Sequence, residues 1–72
     1  GNRAAALQGF EAVLARDPKH TGAQLGLSNV LVADNKLGEA DQVLERALKN
    51  QPGDFGLRLA RAGLLEQAND LD

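Results

Sequence analysis

The stretch GEADQVLERALKNQPGD, Gly38 to Asp54, is written almost twice in this chain. Its earlier version is AAALQGFEAVLARDPKH, Ala4 to His20. Laid over one another, Ala6 falls on Ala40, Gln8 on Gln42, Glu11 on Glu45, Leu14 on Leu48 and Pro18 on Pro52, always 34 residues apart. The same offset also aligns Gly22 with Gly56, Leu25 with Leu59, Leu31 with Leu65, Asn35 with Asn69 and Leu37 with Leu71. Ten of the 38 residue pairs are therefore identical, where this composition alone gives about four, so the period is a property of the sequence.

Local patterns show what is being repeated. Ala6, Phe10, Val13 and Leu14 recur at helical spacing, which predicts a helix over 2–16. Asp17-Pro18 ends it, because proline lacks a backbone donor and pushes the preceding residue out of the helical region. Thr21 is the expected N-cap of a second helix over 21–34, carried by Leu27, Val30 and Leu31. Asn35 stands where a helix end calls for a left-handed residue, a conformation asparagine tolerates well. A third helix over 37–50 carries Ala40, Val43, Leu44, Ala47 and Leu48 and stops at Gln51-Pro52-Gly53. Asp54 then caps a fourth, over 54–68, with Leu57, Leu64 and Leu65. No segment alternates with period two, so an all-α chain of antiparallel neighbouring helices is expected.

Size and composition narrow the functional classes. Seventy-two residues make at most one small domain, with a core that is marginal by itself. The formal charge of −2 is mixed along the chain, which argues against an electrostatic grip on nucleic acid or on anionic lipid. No apolar run approaches a membrane span, so direct membrane insertion is not expected. Cysteine is absent, which rules out disulfides and thiolate metal sites without fixing a compartment.

Helix, tight turn, helix, proline, at a spacing of 34 residues, resembles the tetratricopeptide repeat. In the unit from Thr21 to Asp54, Leu27, Ser28 and Leu31 fill the first-helix places, Ala40, Leu44 and Ala47 the second-helix places, and Pro52 closes the unit. Ala6, Phe10, Val13 and Pro18 fill the second-helix places of the unit before. The resemblance implies a right-handed α-solenoid fragment in three parts: 1–20 as the second helix of one repeat, 21–54 as a complete repeat, and 55–72 opening the next. We expect a section cut from a longer array. Gln24 and Arg58 depart from the pattern by replacing its usual large residue, and Arg61 stands where Leu27 stands one unit earlier.

Catalytic chemistry is thinly represented. His20, the single histidine, falls in the turn after Pro18 and reads as an exposed loop residue. Glu39, Asp41 and Glu45 lie beside Arg46 and Lys49, with Glu45 and Lys49 at i, i+4, and read as a solvated helix face. GDFG at Gly53–Gly56 carries the letters of a kinase metal motif with nothing else of a kinase around it, and reads as helix capping. Arg58 and Arg61 read as surface or interhelical pairs. No catalytic, cofactor or metal site is expected, and no enzyme activity.

Recognition is the better candidate. The resemblance implies a concave groove lined by first helices, here Gly22, Leu25, Gly26, Asn29, Val32 and Ala33, then Gly56, Leu59, Ala60, Gly63, Glu66 and Gln67. Asn29 matches an asparagine with which some members hold a peptide carboxylate, but no basic residue accompanies it. The small residues suit either close approach of a bound backbone or simple helix spacing. A non-enzymatic scaffold binding protein or peptide is thus expected. The alternatives are an architectural spacer, or an accessory segment of a larger enzyme or envelope assembly machine. Leu57, Leu59, Leu64, Leu65 and Leu71 crowd the last eighteen residues, which predicts an exposed cluster and self-association. Ala40→Phe or Ala47→Phe is expected to cost about 1–3 kcal/mol by overpacking, measured as a lowered thermal midpoint.

Overall fold

A computed structural model describes residues 3–70. Its four helices are α1 (Arg3–Arg16), α2 (Thr21–Ala33), α3 (Leu37–Asn50) and α4 (Phe55–Asp70), with no strand among the described residues. Asn2 and Leu71, both included in the sequence reading, lie outside the described residues. Each helix packs on the next, and α2 also touches α4, whereas α1 and α3 stand apart. The result is a slab of 37 × 34 × 14 Å, little thicker than one helix with its side chains.

The three turns follow from a few residues. After α2 the Asn35 backbone is left-handed, with φ 61°. Its N–H donates to the Val32 carbonyl at 2.9 Å and the Lys36 N–H donates to the Leu31 carbonyl at 2.8 Å. These two bonds satisfy carbonyls that the helix end would leave orphaned. The two proline turns match one another. His20 N–H donates to the Asp17 carbonyl at 3.1 Å, and Asp54 N–H donates to the Gln51 carbonyl at 3.1 Å.

One cap differs from expectation. The N-cap of α2 is His20, not Thr21: the Ala23 N–H donates to His20 Nδ1 at 3.0 Å. An imidazole nitrogen offers an acceptor at the required distance, so this exposed histidine performs the capping that Asp54 performs for α4. There the Leu57 N–H donates to Asp54 Oδ1 at 3.1 Å. Thr21 is then free to reach across the chain, and its hydroxyl donates to Asp54 Oδ2 at 2.6 Å.

That bond belongs to a polar seam joining the two proline turns. Gln51 Nε2 donates to the Lys19 carbonyl and to Thr21 Oγ1, both at 3.2 Å. Gln24 Nε2 donates to the Pro18 carbonyl at 2.7 Å and to Gln51 Oε1 at 3.1 Å. Gln24 is buried, and its Oε1 has no hydrogen-bond partner. Such an orphan acceptor costs about 1–3 kcal/mol, a debt against which the amide's two donated bonds are set.

The apolar core is Leu31, Ala40, Leu44, Ala47, Leu57 and Leu64. Ala40 is fully buried and Ala47 nearly so, which is why a larger side chain at either place has nowhere to go. Leu44 and Leu57 are the largest fully buried side chains, each worth about 1.5–3 kcal/mol of transfer free energy. The leucine cluster of α4 is corrected here. Leu57 and Leu64 turn inward against α3 and α2, and of the described leucines in α4 Leu59 and Leu65 remain exposed. Leu65 therefore does not fill space between helices, as its match to Leu31 suggests, because no neighbouring helix covers it.

Acid should weaken the seam. Hydrogen bonds from the Thr21 hydroxyl and then the Leu57 N–H hold the Asp54 carboxyl below its ordinary range. With the folded value lowered, the carboxylate's contribution is complete above the ordinary aspartate pKa of about 3.9 and is lost as pH falls through the folded value. In thermal melts the gap between the parent chain and Asp54→Asn is expected to be widest near neutral pH and to close at pH values below about 3.9.

Candidate functional site: the cleft between α2 and α4

The sequence of α2, TGAQLGLSNVLVA, contains no charged residue. Where it runs beside α4 a shallow cleft of about 270 Å³ opens, lined by Ser28, Asn29, Val32, Leu44, Ala60, Gly63, Leu64 and Gln67. Ser28 is buried and its hydroxyl donates to the Leu25 carbonyl at 2.9 Å, so it contributes bulk and not a free polar group. Asn29 and Gln67 are exposed carboxamides on facing helices. Gly63 lies between them in the middle of α4, and a Cβ built there would meet nothing within 4 Å.

Of the groove residues read from the sequence, Asn29, Val32, Ala60, Gly63 and Gln67 come together here. Leu25 sits nearby between the same helices, its Cδ1 3.8 Å from a Cβ built on Gly56. Gly22 is exposed at the start of α2, next to the His20 ring, and Ala33 is exposed at its end. Leu59 and Glu66 are exposed on α4 outside the cleft lining. Gly26 has a different environment: a Cβ built there would meet Cζ, Cε1 and Cε2 of Phe10, closer than real Cβ atoms approach a neighbour. Its missing side chain is the space the α1 aromatic ring occupies. Ser28 and Leu44, assigned by the repeat pattern to packing alone, form part of the cleft wall together with Leu64. The period marks those places as small or large without saying which surface stays open.

The opposite side of the slab holds two openings between α1 and α3, one larger than the cleft at about 340 Å³ and one smaller at about 240 Å³, sharing Leu27, Val43 and Arg46 in their linings. Glu11, Lys36, Glu39 and Arg46 border the larger one. Long, solvated side chains there make a poorer recognition surface than the uncharged α2/α4 cleft, despite the greater volume.

The remaining sequence candidates take structural roles. Arg61 Nε donates to Asp41 Oδ1 at 2.9 Å, and its guanidinium lies 3.8 Å from Glu45. The Asp41 bond raises the Arg61 pKa further. Glu45 is thus paired with α4 and not with Lys49. Arg3, Asp34, Lys36 and Glu39 form a second, exposed chain of ion pairs. No group of three or more histidine, aspartate or glutamate side chains suited to a metal gathers among the described residues. Asp54 of the GDFG stretch is occupied as a helix cap.

Four helices, matched proline turns and the buried Ala40 with its counterpart Ala6 now stand on the same 34-residue period. The family model for the tetratricopeptide repeat matches residues 1–62. The chain belongs to the tetratricopeptide-repeat family. Repeats of this family generally mediate protein–protein interaction and are typically non-enzymatic modules. No curated protein and no solved structure matches the chain.

Comparing the two units explains Gly26. One repeat later, Phe10 becomes Leu44 and Gly26 becomes Ala60. A large–none pair has been exchanged for a medium–small pair at the same helix contact. Gly26→Ala gains about 1 kcal/mol in helix propensity but forces an overlap costing about 1–3 kcal/mol. It is expected to destabilise the parent chain and to stabilise a Phe10→Leu background. Denaturant melts of the four chains in the double-mutant cycle check this reversal of sign.

Proposed function

We propose that the chain is a section of a protein-binding scaffold that holds an extended segment of a partner in the α2/α4 cleft. Within it, 21–54 is the complete repeat, flanked by 1–20 and 55–72 from its neighbours. The observation carrying this reading is Gly63. A glycine in a helix interior costs about 1 kcal/mol relative to alanine. At Gly26 the missing Cβ makes room for Phe10, whereas at Gly63 no neighbour uses the space. The vacancy faces a cleft whose exposed polar groups include the amides of Asn29 and Gln67, groups suited to pairing with a peptide backbone. Val32 and Ala60 supply apolar contact.

Selection of peptides from a displayed random library, followed by amide chemical-shift mapping on the labelled chain, tests the reading. Shifts are expected at Asn29, Val32, Gly63 and Gln67. Gly63→Trp is expected to abolish binding, while Gly63→Ala raises stability by about 0.4–1 kcal/mol. Selected peptides that map to the α1/α3 side, or that bind the Gly63→Trp chain unchanged, would overturn it, as would a library that yields no binder.

A further inference from the structure

The smaller opening on the α1/α3 side, about 240 Å³, contains a polar atom that packing does not use. Its walls are apolar: Leu14 from α1, Leu27 from α2, and Val43 and Ala47 from α3. Gln24 also lines it, at 4 % exposure. Neighbouring groups fix which way this amide points. Gln51 Nε2 donates to the Lys19 carbonyl, which leaves Gln51 Oε1 to meet Gln24. The Pro18 carbonyl, also an acceptor, lies on the other side. Only the Gln24 nitrogen can face both, at 2.7 Å and 3.1 Å. Turning the amide over would set its oxygen against two oxygens. Gln24 Oε1 is therefore left buried with no donor, as a built-in property of the seam.

The rim carries a second unmatched group. Val43, Arg46, Ala47 and Asn50 recur at helical spacing and share one face of α3. Val43 and Ala47 are half-buried and buried, whereas Arg46 and Asn50 are exposed. Among the described residues Arg46 joins none of the ion pairs. An acceptor at the buried end and a cation at the exposed end thus bracket an apolar wall.

We propose that this opening is a second binding site, for a small aromatic acid whose ring system carries an N–H or O–H donor, such as an indole or a phenol. The ring lies against Leu14, Leu27 and Val43, and its donor pairs with Gln24 Oε1. Its carboxylate pairs with Arg46, and the Asn50 amide donates beside it. Because Oε1 is closed to water, its donor has to be carried in by an apolar body that displaces side chains along the walls. Size decides between ligand classes. Ligand pockets usually enclose roughly 300–1,000 Å³. An opening below that range takes one ring system and not a run of peptide residues. The site is separate from the α2/α4 cleft, with which it shares no lining residue.

Titration of the isotope-labelled chain with indoleacetate, followed by amide chemical shifts, tests the site. Saturable shifts are expected at Leu14, Leu27, Val43 and Ala47 and in the Gln24 side-chain amide, with a Kd of about 1 mM or tighter. The benzothiophene analogue, in which sulfur replaces the ring N–H, is expected to bind about tenfold more weakly, because Oε1 then stays unpaired. That comparison uses the unaltered chain and so does not depend on a variant folding. Arg46→Gln, a change on an exposed side chain, is expected to remove the preference for indoleacetate over neutral indoleacetamide, with helicity checked by circular dichroism. Absence of saturable shifts at these residues would overturn the proposal, as would shifts confined to Asn29 and Gln67 in the other cleft. Equal binding of the sulfur analogue would overturn the role of Gln24. A preference for the acid that survives Arg46→Gln would overturn the role of Arg46.

Discussion

Every other helix in the chain needs α2, because α2 alone touches all three. Gly26 receives the Phe10 ring from α1, Leu25 reaches Gly56 of α4, and Leu31 lies in one cluster with Ala40 and Leu44 of α3. A helix walled on three sides has little room for charge, and α2 has none. Removing any one wall would return an apolar stripe to water, so the hairpin is not a self-sufficient unit. This constraint is why the sequence repeats: each helix pair supplies the surface that the adjoining pair must bury.

Polar chemistry fixes where the walls meet. Asn35 closes α2 with a left-handed turn, and His20 and Asp54 open the helices that follow the two prolines. Gln24 and Gln51 tie those proline turns together from inside. The seam is directional where the apolar contacts are not. Sliding one helix by a turn would keep much of the buried area but would strand the Thr21, Gln24 and Gln51 side chains from their partners. Register thus rests on a few amides, a hydroxyl and a carboxylate, while cohesion rests on leucine and alanine.

Comparison across the repeat shows that contacts change in pairs. Phe10 and Gly26 give way to Leu44 and Ala60, which conserves the space between the helices. Leu7 and Leu27, both partly buried against the core, give way to Asp41 and Arg61, which are joined at 2.9 Å. In the second exchange two apolar side chains packed on the core have become a charged pair. A partly exposed location tolerates this, because the two charges keep some solvent while their bond fixes geometry.

The sequence by itself determined the four helices, their turns and their period. Those depend on proline, on asparagine and capping side chains, and on apolar spacing, all acting within a few residues. It also placed Asn29, Val32, Ala60, Gly63 and Gln67 on one side of their helices. Tertiary structure decided which of four α4 leucines are inside: Leu57 and Leu64 are, while Leu59 and Leu65 are not. It decided that Gly26 is filled by a ring and Gly63 is open, that buried Gln24 belongs to a polar seam, and that Arg61 reaches Asp41. Periodicity states the direction in which a side chain leaves its helix. Whether anything waits there depends on a neighbour some 30 residues away in the chain, and only the packed arrangement supplies that neighbour.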